Sequence, residues 1–210
     1  MVDTKEKILL TALRLFARDG YEAVSVSAIA GELGMTKGAL YKHYKNKRDI
    51  FDSIVERMYQ MDAERAKKYE VPEETFGKTP LAYYKASIDK IKVFSEAQFN
   101  FWTVDEFANN FRKLLTIEQY RNPEMAELYQ SCLVSEPINY MEDLFHEMME
   151  QGIWKKAEPK QLAIDFYAPL YLLISISDAT SDREENVRFL TAHIDQFTKQ
   201  NLVEGPSKES

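Results

Sequence analysis

The sequence predicts an all-α protein in two parts, a short N-terminal three-helix bundle followed by a larger helical body. Three observations predict it. Seven Gly and seven Pro in 210 residues leave little material for the repeated tight turns of a many-stranded fold. Apolar residues recur at spacings of three and four through most of the chain, and strictly alternating stretches are few. Ser, Thr, Asp or Asn stands ahead of most of these periodic stretches, where a side-chain oxygen can accept the first free N–H groups of a helix. With 45% apolar residues the chain can bury a core without covalent staples.

Asp3 or Thr4 caps the first predicted helix, with Glu6 spaced to return a capping-box bond to Asp3. Its apolar stripe is Ile8, Leu9, Ala12, Leu13, Leu15 and Phe16, and Gly20 ends it as a left-handed residue. Ser25 caps a short second helix with Val26, Ile29, Ala30 and Leu33 inward, and Gly34 makes the following turn. Thr36 caps a third, basic helix with Leu40 and Tyr44 on its buried side. Asn46, supported by Asp49, caps a fourth that runs to about Tyr69 with Ile50, Phe51, Ile54, Val55 and Met58 in its stripe.

Loop chemistry fills residues 70–80. Thr79-Pro80 then starts a helix carrying Leu81, Tyr84, Ile88 and Ile91 on one face. Helix boundaries are only loosely marked through the aromatic-rich residues 94–121. Asn122-Pro123 opens a helix reaching Gly152 with a kink at Pro137. Pro159 opens a very apolar helix to about Ser177, and Asp182 caps a last one to about Gln200. The expected division is residues 1–48, residues 49–202 and a polar tail over 203–210.

The net charge of −7 argues against a nucleic-acid partner until its distribution is read. Residues 1–50 hold nine Lys/Arg against six Asp/Glu, and the other 160 hold eighteen against twenty-eight. Between Thr36 and Arg48 stand five basic residues (Lys37, Lys42, Lys45, Lys47 and Arg48) and no acidic one. A local basic patch of this kind is what phosphate contact requires, although a solvated helix face has the same composition. Cys132 is the only cysteine, which excludes an intramolecular disulfide and fits a reducing compartment. The charged start is not followed by a signal-type apolar stretch. The longest apolar run, residues 167–176, is about half the ~20 residues that a membrane span needs. A cytoplasmic protein with no membrane contact is expected.

Two short helices joined by a Gly-containing turn, with a leading helix packed on them, form a helix-turn-helix, whose second helix enters the major groove of DNA. With Leu40 and Tyr44 inward, Lys37, Gly38, Tyr41 and Lys42 fall on or near the outward face. Thr36 and Lys37 place donors at the helix start. Gly38 costs about 1 kcal/mol of helix propensity relative to Ala, so something other than helix stability favours it. The run Leu33-Gly34-Met35-Thr36-Lys37-Gly38-Ala39-Leu40-Tyr41-Lys42-His43-Tyr44-Lys45-Asn46-Lys47-Arg48-Asp49-Ile50 resembles the DNA-binding signature of the tetracycline-repressor (TetR) family. Leu15-Phe16, Gly20-Tyr21 and Ile29-Ala30 match that family in spacing. The resemblance covers roughly residues 5–55. The chain departs from the pattern at Tyr44, where the family usually has Phe, and at Arg48, where it often has an acidic residue; Arg48 is expected to add positive charge near DNA.

The resemblance implies DNA contacts by Thr36, Lys37, Gly38, Tyr41 and His43, a phosphate held by Lys47, and a helix-capping Ser25 within reach of phosphate. Lys42, at a variable position of the family, is expected to influence operator choice. Taken singly, Tyr41 is as readily a packing residue and His43 a surface one. The family also implies a C-terminal domain that dimerises and binds a small molecule. On the last two helices the dimer candidates are Leu162, Phe166, Leu170, Leu173, Leu190, Ile194 and Phe197, with intramolecular core as the alternative. The pocket candidates are Phe99, Trp102, Phe107, Phe111, Tyr129, Cys132 and Tyr140, although an aromatic stripe at helical spacing is more often plain core. Glu96, Asp105 and Glu106 nearby suggest an effector that is lipophilic or cationic.

The whole then reads as a homodimeric repressor of palindromic operator DNA that a small molecule releases. The alternative is a DNA-binding adapter controlled by a protein partner. An enzyme is disfavoured: His43, His146, His193 and Cys132 are widely spread, with no HExxH, CxxC, P-loop or GxSxG motif. No cofactor and no metal site is expected.

Overall fold

A computed structural model describes residues 3–69, 81–180 and 182–203. The Thr79-Pro80 helix start and the tail from Glu204 onward lie outside the described residues. Ten α-helices are described: α1 (Thr4–Asp19), α2 (Val26–Glu32), α3 (Lys37–Leu40), α4 (Lys47–Lys68), α5 (Leu81–Val104), α6 (Glu106–Glu118), α7 (Pro123–Gln130), α8 (Glu136–Glu150), α9 (Pro159–Ile176) and α10 (Arg183–Asn201). The all-α expectation is borne out. The only β-type pairing among the described residues is an isolated antiparallel bridge between Trp154 and Leu202. The chain divides into two compact units, residues 1–68 with 104–129, and residues 69–103 with 130–210.

In the first unit, α1 packs against α2, α4 and α6. Every apolar residue of the predicted α1 stripe is buried, as are Ile29, Ala30, Leu40, Ile50, Phe51 and Ile54 from the next three helices and Tyr44, which lies past the end of α3 in its connection to α4. The local caps form as the sequence predicts. Ala28 N donates to Ser25 Oγ and Ala39 N to Thr36 Oγ1, both at 3.1 Å. Asp49 N donates to Asn46 Oδ1 at 2.9 Å while the Asp49 carboxylate accepts from Lys45 N at 2.8 Å. The expected capping box on α1 does not form. Asp3 is the N-cap residue but makes no side-chain cap bond, and Glu6 pairs instead with Arg57 of α4 at 2.7 Å. An ion pair to a neighbouring helix wins over a local bond to a backbone N–H.

The second unit is held by an aromatic cluster. Phe145 of α8 stacks on Trp154 (centroids 4.5 Å apart) and meets Phe166 of α9 and Phe197 of α10 at 5.5 and 5.8 Å. His193 Nε2 donates to the Phe166 carbonyl at 3.0 Å. The kink expected at Pro137 is a single π-type turn over Ser131–Ser135, closed by Glu136 N on Ser131 O. Proline has no N–H to return to the carbonyls one turn back. One of them, Leu133 O, accepts from the Tyr167 hydroxyl of α9 at 2.8 Å. Asp105 and Asp182 cap α6 and α10 through Ala108 N (2.9 Å) and Glu185 N (3.0 Å).

Candidate nucleic-acid interface

The turn between α2 and α3 rests on Gly34, at φ 63°, with Met35 N donating to Ala30 O at 2.9 Å. It sends α3 out across the surface of the first unit. Leu40 and Tyr44 point inward and are fully covered, so Thr36, Lys37, Gly38, Tyr41 and Lys42 are left exposed. Ser25 is exposed as well, while His43 and Lys47 are half-buried. Lys37 Nζ lies 5.6 Å from the centroid of the Tyr41 ring, which orders two exposed side chains against each other. A Cβ added at Gly38 would meet nothing nearer than Thr36 Oγ1 at 4.0 Å, and its φ is not positive. The fold therefore does not demand glycine there, which leaves close approach of another molecule as the reason for it.

Behind this face, the peptide of Tyr21 is held from both sides. Its N–H donates to Oε1 of Glu118, the last residue of α6, at 2.8 Å. Its carbonyl accepts from Lys47 Nζ at 2.9 Å, and the same ammonium sits 4.2 Å from the Tyr21 ring centroid and 3.6 Å from a Glu22 carboxylate oxygen. Glu118 is 3% exposed. A Cβ on Gly20 would come within 2.8 Å of that Glu118 oxygen. Gly20 itself is not left-handed helical as the sequence reading had it: φ 87° with ψ 152° is a region that essentially only glycine enters. Lys47 is only 22% exposed on its side chain, with its charge already engaged by the α1–α2 turn.

The positive charge that Arg48 was expected to add near DNA is taken up by carboxylates of its own chain. Its guanidinium takes Glu124 of α7 bidentately at 2.5 and 2.6 Å and Asp52 at 2.6 Å, and these carboxylates raise its pKa above the ordinary arginine value. Burial pushes the Tyr44 phenol up to about 12, helped by the Glu6, Asp49 and Asp3 carboxylates. Tyr44 donates to Lys5 O at 3.3 Å, a bond the family's usual Phe would not make.

The pocket and dimer candidates distribute unevenly. Phe107 and Phe111 lie in the α6 stripe buried in the first unit, where Arg57 covers Phe107 at 5.3 Å, and Tyr129 is buried in that unit too. Phe99 and Trp102 are buried in the second unit, where Cys132 and Tyr140 are half-covered. Leu162, Phe166, Leu170, Leu173, Leu190, Ile194 and Phe197 are all buried inside the single chain. They are intramolecular core, because α9 and α10 turn their most apolar faces toward each other and α8. Sequence reasoning missed Glu118, Glu124 and the Tyr167–Leu133 bond. Glu118 had a signal: it continues the stripe of Phe107, Phe111 and Leu115 and so belongs on the buried face.

An exposed, capped α3 joined to α2 by the Gly34 turn and packed on α1 is the arrangement of a helix-turn-helix. Residues 8–54 match the family described as bacterial regulatory proteins, tetR family. The HTH-type transcriptional regulator YerO of Bacillus subtilis is 38% identical over 88 residues, which are 42% of this chain and 30% of that one. The match thus spans about a third of that relative's length. In fold, the chain is similar to SmeT, solved as a triclosan complex (TM-score 0.67, 20% identity, 96% of this chain and 93% of that one). It is also similar to a Saccharomonospora viridis protein in complex with choline (TM-score 0.65, 20% identity, 96% and 98%). The likeness to the tetR family of bacterial regulators is thus carried in sequence by residues 8–54, and over the chain as a whole it is a likeness of fold.

Proposed function

We propose that this protein is a ligand-responsive transcription repressor that binds palindromic operator DNA as a homodimer. The observation that carries the reading is the face of α3: Thr36, Lys37, Gly38, Tyr41 and Lys42 exposed together over a rigidly held turn. Thr36, Lys37, Gly38 and Tyr41 meet base edges and backbone, Lys42 tunes operator choice, and Ser25 and His43 flank the contact. Lys47 serves the phosphate from the start of α4 while keeping its hold on the α1–α2 turn.

The dimer uses the other side of the last two helices. On α9, Ile164, Ala168, Leu172 and Ile176 stand four apart and exposed, and on α10 so does Phe189. Leu172 and Phe189 are each more than half exposed, at 57% and 53%. A second copy laid on this stripe gives a four-helix interface with Ala168 allowing close approach. Two readers must then sit about 34–36 Å apart to enter successive major grooves. An effector that prefers a dimer with the wrong spacing lowers DNA affinity by that preference alone. SmeT is described as the repressor of a multidrug efflux pump of Stenotrophomonas maltophilia, which supports repression and a lipophilic effector here.

Selection of genomic fragments by the purified protein, followed by footprinting, tests the reading. A protected palindrome with half-sites one helical turn apart is expected. Protection of a single half-site with the protein monomeric in sedimentation contradicts the dimer.

A further inference from the structure

Buried polar atoms of the second unit without a hydrogen-bond partner among the described residues include Ser95 Oγ and Gln98 Oε1 on α5, Asn186 Nδ2 on α10 and the lone Trp154 Nε1, which lies apart in the aromatic cluster around Phe145. Ser95, Gln98, Phe99 and Trp102 stand at i, i+3, i+4 and i+7, so one face of α5 presents both orphaned groups and two buried aromatic rings. α5 and α10 run antiparallel, as three side-chain bonds in order fix: Lys92 to Asp195, Glu96 to Thr191 and Asn100 to Arg183. That register brings Asn186, one turn into α10, to the level of Gln98 and Trp102. A buried polar group without a partner is costly, and folded proteins keep few of them without a reason.

Charge narrows what could complete these groups. Among the described residues the buried charged side chains, Arg112 and Glu118, both belong to the first unit; the second unit buries polar groups that are all neutral. Two of the three carboxylates that suggested a cation are engaged elsewhere, and the third, Glu106, is exposed in the first unit. Glu96 accepts from the Thr191 hydroxyl at 2.8 Å, and Asp105 caps α6. A charged ligand would enter this core without a counter-ion, which a low-dielectric interior penalises heavily.

We infer that Ser95, Gln98 and Asn186 form the polar end of an effector site for a neutral, largely aromatic molecule whose polar group both donates and accepts a hydrogen bond, as a primary amide does. Gln98 Oε1 takes the donor, Asn186 Nδ2 supplies the acceptor, Ser95 Oγ serves either, and Phe99 and Trp102 face the ring. The regulatory meaning rests on the ligand-gated reading above; the binding itself does not.

The test compares three probes with one ring and different charge on the full-length protein: 1-naphthamide, the 1-naphthylmethylammonium cation and 1-naphthoate. Thermal unfolding is read first. The amide raises the Tm of the wild type and the two ions do not. Gln98→Leu and Asn186→Leu each raise the Tm of the ligand-free protein by about 2–4 °C, since an orphaned polar group is replaced by an apolar one of like size, and each abolishes the amide's shift. Ser95→Ala, the smallest change, weakens the shift without lowering the ligand-free Tm. A shift from the cation or anion equal to the amide's, no shift from any probe, or variants that lose stability because the groups are paired in solution would each overturn the inference. Operator binding read with the same probes separates the two claims. A stabilising amide that leaves DNA affinity unchanged retains the site and removes the gating, whereas release of DNA by another molecule with no amide shift does the reverse.

Discussion

The Glu118 carboxylate accepts the backbone N–H of Tyr21 at 2.8 Å from a residue 97 positions away in sequence, and the same oxygen occupies the space a Cβ on Gly20 would need. The end of α6 is thereby fastened to the turn that orients α2 and, through it, the exposed face of α3. A buried bond to a charged acceptor contributes about 1.5–3 kcal/mol.

Glu118→Ala should therefore lower stability by about 1–3 kcal/mol, with Glu118→Gln recovering much of it because an amide oxygen can still accept. Gly20→Ala should cost more than about 2 kcal/mol, from the φ and from the close oxygen together. The double substitution Gly20→Ala with Glu118→Ala should cost less than the sum, since removing the Glu118 carboxylate also removes the oxygen that a Cβ at position 20 would meet. Denaturant unfolding of the four proteins checks this; strict additivity would separate the two residues.

Lys47→Ala should weaken binding to every DNA sequence and reduce the salt slope by about one. Because Lys47 also holds the Tyr21 carbonyl and faces its ring, the same substitution should lower the Tm. Lys42→Ala touches neither, and it should reorder operator preference at unchanged Tm. Fluorescence titration on a fragment panel beside thermal unfolding reads both, and an unchanged operator ranking counts against the role of Lys42.

Tyr44 should make the fold sensitive to alkali. Its folded pKa of about 12 lies above the ordinary tyrosine value near 10, so the neutral phenol is favoured by folding. The contribution is complete below about pH 10 and is lost as pH rises through 12, up to roughly 2–3 kcal/mol. Tyr44→Phe should lose about 0.5–1 kcal/mol at pH 7 through the bond to Lys5, yet unfold at higher pH than the wild type. Parallel pH-unfolding curves decide it; coincident midpoints at high pH would remove the claim.

Tyr167→Phe leaves Leu133 O without its donor in a buried setting, and a loss of about 1–3 kcal/mol is expected. In a Pro137→Ala background the restored N–H can serve that turn, so the same change should cost less. A loss of equal size in both backgrounds would detach the π-type turn from the proline.

What was legible in the sequence was local. Ser25, Thr36, Asn46 and Asp182 cap their helices because a cap depends on residues three positions away. The α1 stripe and the outward face of α3 followed from helical spacing in the same way. Partners across long separations were not legible. Periodicity announces that α9 and α10 each bury a face, but not that Phe166 and Phe197 meet Phe145 of the same chain and leave Leu172 and Phe189 outside. The pairing that takes up the charge of Arg48 was hidden for the same reason, since Glu124 lies 76 residues away. The signs that could have been used were polar residues on apolar stripes, Glu118 on α6 and Ser95 with Gln98 on α5.

The most direct test of the proposed DNA-reading surface is a titration of the protein against a selected genomic fragment and random DNA at two salt concentrations, with wild type beside Lys37→Ala. The wild type should prefer the fragment by at least about 10³-fold, both affinities falling as salt rises, and Lys37→Ala should lose most of that preference at unchanged Tm. Weak binding that is blind to sequence, with Lys37→Ala indistinguishable from wild type, would contradict a DNA-reading role for α3.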